Sequence, residues 1–139
     1  MKYPYPRPTK YNVRVKKSAS GFGLFAEDAI PKNRFIIEYW GKIISDKKAD
    51  ELGGKYIFGL ENDKNISGAH RKNIARYINH SCQPNCEASL EGDRIFIRSL
   101  KKINPGDELT YNYGKVYFES YIKPFGCRCV KCAKKITGR

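Results

Sequence analysis

Arg76-Tyr77-Ile78-Asn79-His80-Ser81-Cys82-Gln83-Pro84-Asn85-Cys86 crowds amide, imidazole, hydroxyl and thiol groups into one unbroken run. Polar groups are unfavourable in an interior unless each finds a partner, so a run this dense points to a ligand or a metal rather than to an ordinary apolar element. A helical pattern is weak here, and residues 73–78 are expected as a short helix at most.

The segments on either side are strand-like. Residues 56–60 and 64–67 flank Glu61-Asn62-Asp63 as a hairpin, and residues 86–90 and 94–100 flank Glu91-Gly92-Asp93 as another. Asn104-Pro105-Gly106-Asp107 has Pro and Gly where a type II turn needs them and leads into a strand over 109–113. Further upstream, residues 11–15 and 35–40 alternate or run apolar as strands, Gly41 interrupts before Ile43-Ile44, and Ser20-Gly21-Phe22-Gly23 reads as a turn. Ser45 is placed to cap a short helix that Gly53-Gly54 ends. The Pro- and Lys-rich first ten residues read as a loose lead-in. The expected class is β-rich α+β.

At 139 residues the chain fits one domain, and its 40% hydrophobic and 13% aromatic content exceeds that of a disordered basic tail. No run reaches the roughly 20 apolar residues of a membrane helix, so no membrane contact and no standard secretion signal are expected. Lys and Arg number 27 against 14 Asp and Glu, a net charge of +13 that attracts anions such as nucleic acid, acidic proteins or lipid headgroups, and charge alone does not choose among them.

The five cysteines are an odd count, which argues against a complete disulfide framework and for metal binding in a reducing compartment. Cys127, Cys129 and Cys132 offer three thiols, and tetrahedral zinc takes four ligands, so Cys82 is the candidate fourth. The alternative is that Cys82 is a small buried hydrophobe and the tail thiols are free; Cys86 reads as core.

The polar run resembles the Arg-Phe-x-Asn-His-Ser-Cys-x-Pro-Asn motif of the SET-domain protein lysine methyltransferases, with Tyr77 at the Phe position. Gly21-Phe22-Gly23 and Glu38-Tyr39-Trp40-Gly41 are similar to that family's Gly-x-Gly and Glu-Tyr-x-Gly elements. Leu109-Thr110-Tyr111-Asn112-Tyr113-Gly114 is similar to its Glu-Leu-x-Phe/Tyr-Asp-Tyr motif, with Asn112 where Asp is usual. Ser67-Gly68 stands where many members have Asp-Ala, and the tail spacing Cys-x-Cys-x2-Cys is two residues shorter than the family's.

The resemblance implies a SET fold of small curved sheets in which the segments 76–86 and 109–114 meet in a knot-like threading. It divides the chain into an N-terminal extension (1–11), a SET domain (12–116) and a C-terminal zinc-binding segment (117–139). It also implies S-adenosylmethionine-dependent methylation of a lysine on a protein, a histone or another basic DNA-associated protein. Cofactor contacts fall to Gly21, Phe22, Gly23, Tyr56, Asn79, His80 and Arg128. In that arrangement Asn79 accepts from the methionyl ammonium and the backbone at His80 reads the adenine edge. Tyr113 is the implied catalytic tyrosine and Tyr56 a second channel tyrosine. Tyr111 sits at the position where a hydroxyl restricts the product to mono- or dimethylation. Zn2+ falls to Cys82, Cys127, Cys129 and Cys132.

Two other readings stand beside this one: a catalytically inactive SET fold that binds a lysine-bearing partner, and a basic zinc-containing module that binds nucleic acid. An intracellular location is expected, with nucleus, bacterial cytoplasm and delivery into a host cell all open.

Overall fold

The computed structural model describes residues 6–18, 21–53, 56–60 and 62–113. In chain order these form β1 (Val13–Ser18), β2 (Gly21–Ala26), β3 (Phe35–Tyr39), β4 (Lys42–Ile44), α1 (Asp46–Glu51), β5 (Ile57–Gly59), β6 (Asn65–Ser67), a 3-10 turn (Ile74–Tyr77), β7 (Asn79–His80), β8 (Cys86–Glu91), β9 (Arg94–Ser99) and β10 (Thr110–Tyr111). They assemble into small sheets: β1-β2, β3-β9-β8, β4-β6-β5 and the parallel pair β7-β10.

Side-chain chemistry explains each sheet. All five residues of β3 are buried, because one face meets the core and the other lies under the N-terminal residues. Its partner β9 contributes Ile95, Phe96 and Ile97, with a bulge between Phe35 and Ile37. Ile95 and Ile97 join Leu24, Ile30, Ile36, Ile66, Ile78, Ile103 and Leu109 in one continuous core, and Phe96 packs edge-on against Phe35. The two expected hairpins are present as β5-β6 and β8-β9, both antiparallel.

Local signals account for the remaining short elements. Ser45 accepts from the Lys48 N–H at 3.1 Å and starts α1, and Gly53 ends it with φ of 78°. In the turn at 104–107 the Asp107 N–H donates to the Asn104 carbonyl at 3.0 Å and Gly106 has φ of 92°, the type II pattern. Gly41 is needed for close approach, since a Cβ there would overlap the Ser67 carbonyl across the β4-β6 pairing.

Three expectations are corrected. Of the turn expected over 20–23, residues 21–23 are strand instead: Gly21 to Gly23 are the first residues of β2, paired with Ser18, Lys17 and Lys16 of β1. Gly23 serves close packing, because a Cβ there would collide with the Glu108 carboxylate. The lead-in is not loose from residue 7 onward. Arg7 N–H donates to Glu38 Oε1 at 2.7 Å, Lys10 N–H to the Ile36 carbonyl at 3.0 Å, and the Arg7 guanidinium lies 4.0 Å above the Phe35 ring. Glu38 supplies the cause: a carboxylate only 3% exposed needs donors, and Arg94 completes them at 2.6 and 3.0 Å. Finally, the strand expected over 109–113 is only two residues long, because the Tyr113 N–H turns to the His80 side chain instead of a ladder carbonyl.

Candidate active site

The run from Arg76 to Cys86 and the run from Glu108 to Tyr113 are far apart in sequence and meet through β7 and β10, with Asn79 opposite Thr110 and His80 opposite Tyr111. Asn85 fastens the junction. Its Oδ1 accepts the Thr110 N–H at 2.9 Å and its Nδ2 donates to the Glu108 carbonyl at 2.8 Å. Ser81 N–H adds a bond to the Tyr111 carbonyl at 3.2 Å. Buried Ile78 and Leu109 anchor the two runs in the core, so the polar groups between them are held on a rigid base.

On one side of this junction Asn79 meets β2. Its Nδ2 donates to Glu108 Oε2 at 2.7 Å, to the Phe22 carbonyl at 2.9 Å and to Ser18 Oγ at 3.2 Å. The amide oxygen therefore faces the other way as an acceptor. Gly21 has open space where a Cβ would be, and its φ of 108° favours glycine. Phe22 is 55% exposed and stands edge-on to Tyr77 with ring centroids 6.1 Å apart.

On the other side lies an aromatic series. Tyr39 leans on Phe58 at 5.6 Å, Phe58 stacks on Tyr111 at 6.1 Å, Tyr111 meets Tyr113 at 4.9 Å, and Tyr113 meets the His80 ring at 5.4 Å. Tyr113 donates its hydroxyl proton to the Ile78 carbonyl, which leaves the phenol oxygen's lone pairs directed elsewhere. Tyr56 holds a left-handed backbone with φ of 59°. Its carbonyl accepts from the Tyr39 hydroxyl at 2.6 Å and the Gly68 N–H at 2.7 Å, and its ring lies under the Arg76 guanidinium at 5.1 Å. Gly68 is fixed by this packing, since a Cβ there would overlap the Tyr39 ring.

His80 is neutral by position. Burial lowers its pKa, and Nδ1 accepts the Tyr113 N–H at 3.1 Å, so the proton sits on Nε2, 3.3 Å from Cys82 Sγ. A backbone N–H thus occupies the nitrogen that a hydrolase triad would give to a carboxylate.

The fold brings together Phe22, Gly23 and Asn79, and separately His80, Cys82, Tyr111 and Tyr113. Of the expected zinc ligands only Cys82 is described, half-buried beside His80; Cys127, Cys129, Cys132 and the expected cofactor residue Arg128 lie outside the described residues. Among the described residues no group of three or more His, Cys, Asp or Glu could hold a metal. Sequence reasoning missed Glu108, Asn85 and Phe58. Glu108 was within reach, because it directly precedes the Leu109 to Tyr113 motif. Asn85 and Phe58 gave no separate signal, since their roles come from partners 25 and 53 positions away.

Residues 21–114 match the sequence profile of the SET domain. The chain is 35% identical over 129 residues to the histone-lysine N-methyltransferase set1 of Dictyostelium discoideum, covering 84% of this chain and 9% of that protein. It is 42% identical over 104 residues to an H3 lysine-4 specific histone-lysine N-methyltransferase of Schizosaccharomyces pombe, covering 66% of this chain and 11% of that protein. Against the histone-lysine N-methyltransferase ASHH3 of Arabidopsis thaliana it is 34% identical over 143 residues, 94% of this chain and 39% of that protein. The chain thus spans well under half the length of these relatives.

Proposed function

This chain belongs to the SET-domain family, and on that premise we propose that it is a protein-lysine N-methyltransferase that uses S-adenosylmethionine and acts on a histone or another basic, nucleic-acid-associated protein. The carrying observation is the junction of β7 and β10, which sets an outward-facing amide acceptor on Asn79 and a phenol oxygen on Tyr113 at one rigid crossing.

Bound there, S-adenosylmethionine would supply a methyl group on a sulfonium; a neutral lysine amine would attack that methyl in line, the C–N bond forming as the C–S bond breaks and the thioether leaves. The residues present suit such a ligand. Asn79 Oδ1 accepts from an ammonium, the open space beside Gly21 admits a ligand near the backbone, and Phe22 with Tyr77 offers an aromatic surface to a flat ring. The Phe58, Tyr111 and Tyr113 rings keep a lysine stem in apolar surroundings. That matters because the free amine titrates near pH 10.4, about three units above neutrality, and must be desolvated to react. Tyr113, whose hydroxyl proton is donated to the Ile78 carbonyl, would attract the polarised methyl or orient the amine through its phenol oxygen. Tyr111 at its buried position favours mono- or dimethylation over a third transfer.

The test is intact-mass detection of methyl transfer from labelled S-adenosylmethionine to free histones and nucleosomes at low and high salt. Tyr113→Phe serves as control and should lower turnover by at least about tenfold through lost positioning while sparing cofactor binding. Undiminished turnover in that variant would sink the role given to Tyr113. The exposed lysines at 16, 17, 47, 48, 101 and 102 give the means of holding a nucleic-acid-bound substrate, so transfer to nucleosomes should fall more steeply with salt than transfer to free histones. Equal salt dependence would remove nucleic acid from the picture.

A further inference from the structure

Glu108 lies where β2 and the β7-β10 junction touch. Its Oε2 takes the shortest of the Asn79 Nδ2 contacts, 2.7 Å, and its backbone bridges to Phe25. Asn85 Nδ2 holds its carbonyl at 2.8 Å, and the absence of a side chain at Gly23 lets the carboxylate reach Asn79.

We infer that Glu108 is a positioning residue: it locks the Asn79 amide with Oδ1 outward, and so sets the affinity for the ammonium at the amino-acid end of the cofactor. The inference rests on the cofactor reading above. An amide can flip end for end, exchanging a donor for an acceptor at the same place. Here Nδ2 faces a carboxylate oxygen and a backbone carbonyl, both of which only accept; Ser18 Oγ is the third oxygen. Flipping would set Oδ1 against two acceptor oxygens, so the chemistry admits one orientation. The phenylalanine carbonyl is neutral, whereas the carboxylate bond is charge-assisted and polarises the amide, raising the negative character of Oδ1 where an ammonium would meet it. Glu108 therefore acts on the ligand through Asn79 and is distinct from the groups at the methyl-transfer end.

The experiment is calorimetric titration of the whole chain with S-adenosylhomocysteine and with its analogue lacking the amino group, for the wild type, Glu108→Gln and Glu108→Leu. Thermal melting of each variant shows that it is folded. Loss of the acceptor in Glu108→Leu should weaken S-adenosylhomocysteine about tenfold, the order of one charge-assisted hydrogen bond. Glu108→Gln, which keeps an acceptor oxygen, should recover part of it. All three proteins should bind the deaminated analogue alike, and in turnover the KM for cofactor should rise with kcat retained. Equal weakening of both ligands, or no weakening, overturns the inference alone. A wild type that binds neither ligand overturns the cofactor reading and this inference with it.

Discussion

Single residues in this site are governed by what faces each polar atom, and the two described cysteines make the contrast. Burial pushes the Cys86 thiol from 9.0 up to about 12, against a smaller opposing effect of a backbone bond to Thr110, whereas Cys82 is half-buried beside His80. The raised value means that the fold favours the neutral thiol. The stability this adds is complete below pH 9 and is lost as the pH climbs toward 12. In metal-free protein at pH 8, iodoacetamide followed by peptide mass mapping should modify Cys82 well before Cys86; equal rates would contradict the burial of Cys86. Much of the site was legible at this scale. Asn79, His80 and Tyr113 stand out because their motifs are contiguous in the chain. Glu108 was legible only as the neighbour of the Leu109 to Tyr113 motif; its tie to Asn79 was not, because nothing local says that a glycine at 23 will leave room for its carboxylate.

At the scale of elements the critical feature is a parallel ladder only two residues long on each strand, too short to persist on backbone bonds alone. Asn85 supplies what the ladder lacks, bonding Thr110 N–H and the Glu108 carbonyl from one side chain. Replacing Asn85 with Ala leaves both partners unpaired and should destabilise the protein by about 2 kcal/mol, read as a shift of the urea midpoint. It should also reduce methyl transfer, because Tyr113 lies two residues beyond the end of β10. A variant as stable as the wild type would show that the ladder does not depend on this side chain. Antiparallel hairpins were legible because a turn sequence announces them: Glu91-Gly92-Asp93 between two apolar runs leaves little choice. The β1-β2 pairing was misread for the converse reason. Gly21 and Gly23 look like turn residues, and only their packing partners show that they are strand.

At the scale of the whole molecule, the expected zinc would tie the tail to the core. The zinc reading assigns Cys82 from the core and Cys127, Cys129 and Cys132 from the tail to one ion. Metal analysis should find one zinc per chain in the wild type and little in either Cys82→Ser or Cys132→Ser, with chelation lowering the melting temperature. Full zinc in Cys82→Ser would separate the tail from the core. By itself the sequence determined the class of fold, the hairpins, the helix cap and the motifs that identify the family, because each rests on side-chain chemistry within a few neighbouring positions. Only the tertiary structure decided that Arg7 docks on Glu38, that the two polar runs cross as parallel strands, and that Asn79 turns its acceptor outward. Those outcomes depend on pairing buried charges and amides with partners 29 to 56 positions away, a choice that no local pattern encodes.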